Sequence, residues 1–162
     1  MLILCLSATM VWAERIDVST ARKVAENVAN AGSGLRSAGD LSLVYAAAPG
    51  KSGSALRSGT VDGAADYFVF NVSGNKGFVI VSGEDRALPV FGYSDEGAFD
   101  PDNLPDNLRY MLAYYQNQIT WLERSGIEVT ADIQAEWSHY LNGTNFRSTA
   151  QEVVLETAEW DQ

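Results

Sequence analysis

Two runs of β-forming residues, Tyr67-Phe68-Val69-Phe70-Asn71-Val72 and Gly77-Phe78-Val79-Ile80-Val81, are separated only by Ser73-Gly74-Asn75-Lys76. No other part of the chain limits its fold so tightly. The short connection puts glycine and asparagine where a tight turn needs positive φ, so the two runs predict a β-hairpin. Both runs are nearly continuous in apolar residues rather than alternating, which places the hairpin at the centre of a sheet and not at its edge. Leu41, Leu43 and Tyr45 alternate as in a half-buried strand. Pro89 to Tyr93 supplies a further strand after the turn Ser82-Gly83-Glu84-Asp85-Arg86.

Helical spacing lies on both sides of this sheet region. Ala21, Val24, Ala25 and Val28 share one face of a helix over 18–31, with Ser19 or Thr20 as its cap and Gly32-Ser33-Gly34 as its stop. Residues 49–63, rich in Gly, Ser and Ala, read as a loop, and Gly92 to Pro105 as a long surface loop. Asp106 or Asn107 then caps a helix on which Leu108, Met111, Leu112, Tyr115, Ile119 and Leu122 keep helical spacing. Arg124 sits in its last turn and Gly126 ends it. A shorter helix runs from about Thr130 to Leu141, with Ile133, Trp137 and Leu141 on one stripe and Asn142-Gly143 as its stop. Residues 153–160 read as a final extended segment. A helix, then strands, then helices predict an α+β domain: a small antiparallel β-sheet with helices packed on it.

The 162 residues fit one domain with short extensions. The net charge of −10 is unevenly placed. Residues 1–81 carry seven Lys/Arg against six Asp/Glu, whereas residues 82–162 carry four against fifteen. Nucleic acid and anionic membranes both need a basic surface, so a polyanionic half argues against either as partner. The first thirteen residues, MLILCLSATMVWA, are uncharged and almost wholly apolar. Val11 and Ala13 stand where an export peptidase takes small residues, so residues 1–13 read as an export signal cleaved before Glu14, although the usual basic n-region is missing. The stretch is too short to span a bilayer. Cys5, the only cysteine, leaves with it, and the mature chain has neither a disulfide nor a thiol nucleophile.

Catalytic chemistry fails on inventory. Cysteine-protease chemistry needs a thiolate beside an imidazole, and the only histidine, His139, stands off the apolar stripe of its helix and reads as a surface residue. One histidine cannot complete a zinc site, and no phosphate-binding glycine motif is present. Asp95, Glu96, Asp100, Asp102 and Asp106 crowd one loop. They read as a solvated acidic loop, because nothing apolar nearby sets one carboxyl apart as an acid and another as a base. The spacing and closing Glu of an EF-hand are also missing. No cofactor or metal is expected.

The run Tyr67 to Asp100, YFVFNVSGNKGFVIVSGEDRALPVFGYSDEGAFD, resembles the pro-segment of streptopain-type cysteine proteases, the Spi protease-inhibitor domain. The matching core is Phe70-Asn71-Val72, Gly77-Phe78-Val79-Ile80-Val81-Ser82-Gly83, Gly92-Tyr93-Ser94 and Gly97-Ala98-Phe99-Asp100. The likeness continues, more weakly, through the first helix, Arg36-Ser37-Ala38 and the Asn107-led helix to Ile119. Trp160-Asp161-Gln162 is similar to the first residues on the mature-enzyme side of the family's activation junction.

The resemblance implies an inhibitory domain over 14–150, a tail over 151–162, and secretion or periplasmic export. It also implies a partner, a papain-like cysteine protease catalytic domain bound in cis or in trans. In that family an asparagine from the loop entering the post-strand helix displaces the catalytic histidine. The matching position is Asn107, with Asn103 close by; an N-cap role for Asn107 is the alternative. Tyr93, Ser94, Phe99 and Leu104 are implied as supporting contacts, and Phe99 and Leu104 fit equally well as minor core. Two alternatives stay open. One is that the chain is a truncated precursor of a secreted cysteine protease lacking its catalytic domain. The other is a surface module for glycan or protein, using Tyr110, Tyr114 and Trp121, although those rings are expected to pack on the sheet or cover the helix.

Overall fold

A computed structural model describes residues 15–33, 41–50 and 65–143. The expected hairpin is its centre: β2 (Tyr67–Val72) pairs antiparallel with β3 (Phe78–Ser82), and Gly74 and Asn75 in the turn take φ of 80° and 56°. Outside them lie β1 (Leu41–Ala46) on β2 and β4 (Val90–Ser94) on β3, giving a four-stranded antiparallel sheet in the order β1-β2-β3-β4. Three helices, α1 (Val18–Ser33), α2 (Asp106–Ser125) and α3 (Ala131–Asn142), complete an α+β fold. Of the run read as loop over 49–63 only Pro49 and Gly50, in a turn, are described; its remainder, the tail over 153–160, the export signal and Arg36-Ser37-Ala38 lie outside the described residues.

The central strands lack alternation because both faces of the sheet are covered. Phe68, Phe70, Val79 and Val81 pack with Ala21, Val24, Ala25 and Val28 of α1 and with Trp137 of α3. Tyr67, Val69 and Ile80 point the other way and pack with Phe99 and with Leu112 of α2. Helices on opposite faces therefore make three layers, and each strand residue is apolar for one side or the other.

Local signals hold with three corrections. The cap of α1 is Asp17, not Ser19 or Thr20: its carboxylate accepts from the backbone N–H of Ser19 (2.7 Å) and of Thr20 (2.9 Å). The Ser19 hydroxyl also donates to it, and these bonds, the Ser19 hydroxyl foremost, hold the Asp17 carboxyl below its ordinary pKa. Asp17→Ala is expected to cost about 1 kcal/mol in a denaturant titration. That contribution is complete above the ordinary aspartate pKa and is lost as pH falls through the lowered one. The cap position of α2 is Pro105, with no side-chain bond; Asp106 and Asn107 lie inside the first turn. Strand β4 runs to Ser94, so the surface loop begins at Asp95 rather than Gly92. The helix expected from about Thr130 begins at Ala131, with Thr130 as its cap, accepting from the N–H of Ile133.

Side-chain hydrogen bonds fix α2 on its face of the sheet. Gln116, 2% exposed, donates to Ala48 O and to the buried Asp66 carboxylate, both at 2.8 Å. The Tyr115 ring stacks on Phe91 at 4.4 Å, and its hydroxyl donates to Phe91 O. Arg86 is gripped by the Glu84 carboxylate (2.7 and 3.0 Å) and donates onward to Leu122 O and Ile127 O at the end of the helix. On the other face the Trp137 indole donates to Ala87 O, and Asn27 donates to Tyr140 O and Leu141 O at the end of α3.

Candidate functional site

The resemblance points to the passage from β4 into α2, and the chain there is fastened at successive points. The Ser94 hydroxyl donates to Glu96 O (2.8 Å) and accepts from Glu96 N–H (3.3 Å), closing the first bend. Gly77 N–H donates to Gly97 O at 2.8 Å. The Asn71 side chain then holds both backbone groups of Phe99: Phe99 N–H donates to Asn71 Oδ1 (2.9 Å), and Asn71 Nδ2 donates to Phe99 O (3.0 Å). Asp100 closes the next turn, its carboxylate accepting from Asp102 N–H and its carbonyl from Asn103 N–H. Leu104 O accepts from the Arg109 guanidinium at 3.0 Å, and α2 begins after Pro105.

This geometry divides the six implied site residues. Phe99 is 3% exposed, edge-on to Phe78 at 5.7 Å and tilted against Tyr45 at 5.9 Å, so it takes the core reading. Leu104 is half-buried against the same cluster. The Ser94 hydroxyl is used within its own bend. Asn103 and Asn107 are exposed at the entrance to α2, and among the described residues no hydrogen bond engages either side chain.

Tyr93 stands apart from the rest. Ile80 pairs with Gly92 and Val81 with Val90, so Phe91 is an extra residue, a β-bulge that restarts the alternation of β4. Tyr93 is thereby set opposite Val79, on the face of α1 and α3, with its ring 60% exposed. Asn103, Leu104 and Asn107 are thus brought to one end of α2, and the sheet lies between them and Tyr93.

The loop is acidic. Asp95, Glu96, Asp100, Asp102 and Asp106 are all exposed, and no Lys or Arg occurs among residues 95–106. Such a surface suits a basic partner face and speeds its approach. Along α2, Tyr110, Tyr114 and Trp121 are 77%, 53% and 59% exposed. Of the two expectations, packing on the sheet does not hold, because Leu112, Gln116 and Ile119 occupy the buried face of the helix; covering the helix fits Tyr114, whose ring tilts against Tyr115 at 6.3 Å. Asn71 was not singled out from sequence as a site residue. Its signal was present, as the one polar residue in the run Tyr67–Val72.

The model of the Spi protease inhibitor family matches residues 13–119, and this chain belongs to that family. It is also similar to the thiol protease/hemagglutinin PrtT of Porphyromonas gingivalis, with 42% identity over 53 residues. That stretch is 33% of this chain and 6% of the relative. No solved structure matches. Among the described residues no helix is long and apolar enough to cross a membrane.

Proposed function

We propose that this domain inhibits a papain-like cysteine protease by lying across the substrate side of its catalytic domain, with Asn107 entering the site and displacing the catalytic histidine. One observation carries this reading. Asn107 is exposed in the first turn of α2 and no hydrogen bond among the described residues engages its side chain, while Pro105 holds the cap position that would otherwise explain an asparagine there. A carboxamide has both a donor and an acceptor, so it can bond an imidazole in either tautomer. Separating imidazole from thiol removes both the general base and the cation that holds the thiolate. Leu104 and Asn103 flank the wedge, and the acidic loop meets a basic rim.

The match to a small stretch of a thiol protease supports a pro-segment role, with the enzyme in the same reading frame. Residues 1–13 direct export, so inhibition takes place outside the cytoplasm in cis or in trans, and no cofactor takes part. A second reading is favoured by the exposure of Tyr110, Tyr114 and Trp121: a surface module that binds glycan through aromatic rings.

The test is inhibition of a mature streptopain-type protease by the purified chain. Asn107→Ala is expected to raise the inhibition constant ~30-fold, the loss of one interface hot spot. Equal potency of variant and wild type would remove the wedge and leave blocking of the cleft by the whole domain. Absence of inhibition by the wild type, together with glycan binding lost in Tyr114→Ala, would establish the second reading instead.

A further inference from the structure

The Asn71 carboxamide is half-buried at the margin of the α2-side core. On the same face of the sheet Tyr67 and Val69 are buried, half-buried Phe78 is its ladder partner on β3, and exposed Ser42 stands opposite it on β1. Instead of packing, Asn71 reaches Phe99, far along the chain, with one donor and one acceptor. A carboxamide reproduces the hydrogen-bonding edge of a peptide group, so it pairs with Phe99 as an added strand residue would. An aliphatic side chain offers neither bond, and a carboxylate offers only the acceptor.

The clamp lies at the midpoint of the segment leading to α2. Before it, the chain is tied to the hairpin at Gly97; after it, the bonds are within the segment itself, from Asp100 to Asn103 and from Arg109 to Leu104. Among the described residues the Phe99 clamp is thus the last hydrogen-bonded tie between the β2–β3 hairpin and the chain that delivers Asn103 and Asn107.

We propose that Asn71 is a positioning residue for inhibition: it fixes the loop so that the entrance of α2 meets the protease already ordered. This rests on the inhibitory reading above. Ordering a loop at the moment of binding costs affinity, and a loop ordered beforehand avoids that cost. Asn71 touches no protease group and acts through Phe99.

The experiment combines inhibition kinetics with amide hydrogen exchange on wild type, Asn71→Ala, Asn71→Asp and Asn107→Ala, and on the double variant of Asn71→Ala with Asn107→Ala. Asn71→Ala is expected to weaken inhibition about tenfold and to speed exchange at Phe99 and through residues 100–104, with β2 and β3 unchanged. Asn71→Asp keeps the acceptor for Phe99 N–H and removes only the donor. It is expected to fall between wild type and Asn71→Ala, and it carries the test should Asn71→Ala fail to fold. In the Asn107→Ala background, Asn71→Ala is expected to add little, because the loop then has no wedge to deliver. Wild-type potency in both Asn71 variants, with exchange at 99–104 accelerated, would overturn the positioning role alone. Full additivity of the double variant would also overturn it. No inhibition by the wild type would overturn the parent reading, and Asn71's role with it.

Discussion

Gly83→Ala is expected to destabilise the domain by ~4 kcal/mol or more, at the extreme of single substitutions. A Cβ built on Gly83 would stand 1.8 Å from Ala65 O and 2.8 Å from Ala65 C. The backbone cannot retreat, because Gly83 N–H donates to Asp66 O and Gly83 O accepts from Ile16 N–H. Moving away from Ala65 breaks both bonds at the junction of the N-terminal segment and the sheet. Gly92 is the control. It lies in β4 with no neighbour within 4 Å of a built Cβ, and Gly92→Ala is expected to change stability by less than about 0.5 kcal/mol. Urea titration of the two variants beside wild type measures both. A folded Gly83→Ala chain with an unchanged midpoint would refute the close approach.

The second large effect comes from the Glu84–Arg86 pair. Glu84 is 2% exposed and Arg86 10%. Removing Arg86 leaves a buried carboxylate without its cation and takes from Leu122 O one of its two side-chain donors, the Ser125 hydroxyl remaining. Arg86→Ala is expected to cost about 3–5 kcal/mol, the range for breaking a buried ion pair from one side. The pH dependence identifies the cause. Burial acts to raise the Glu84 pKa, but hydrogen bonds from the Arg86 side chain and backbone N–H, with the Arg86 charge, outweigh it and hold the carboxyl below the ordinary value. In the wild type this contribution is therefore complete above the ordinary glutamate pKa and is lost as pH falls through the lowered one. Without Arg86, burial prevails and the sign reverses: the variant is penalised most at neutral pH and regains part of the loss as Glu84 protonates. Melting the two proteins at pH 3.5 and pH 7 checks this, and a penalty that does not shrink in acid would refute it. Glu84→Gln in the Arg86→Ala background is expected to recover stability at neutral pH.

What could be read from sequence was whatever a segment decides by itself. The hairpin, the apolar stripe of α1 and the stop of α3 at Asn142-Gly143 depend on residues a few positions apart, and each stands where spacing placed it. What could not be read depends on distant partners. Gln116 sits at the centre of the buried face of α2 because Asp66 and Ala48 supply its hydrogen bonds, and no helical periodicity marks a polar residue for burial. The face taken by Tyr93 turns on a single extra residue at Phe91, so a strand read by strict alternation puts that ring on the wrong side of the sheet. Of the implied site, the entrance of α2 was legible through its resemblance to known pro-segments. The core burial of Phe99 and the clamp that causes it needed the two segments side by side.

The segment ahead of α1 has a practical bearing on where this chain can be cut. Arg15 bridges to Glu84 through its backbone, and its guanidinium contacts Ala65 O, Asp66 and Glu123, so one side chain ties the start of the domain to the sheet and to α2. A cut before Glu14 would spare that fastening by one residue. A recombinant fragment begun at α1 itself would discard it, leaving Asp66 with the neutral donors of Gln116 and Gly50 as its remaining partners. The smallest unit that keeps its native ties therefore opens at Arg15, not at the first helix.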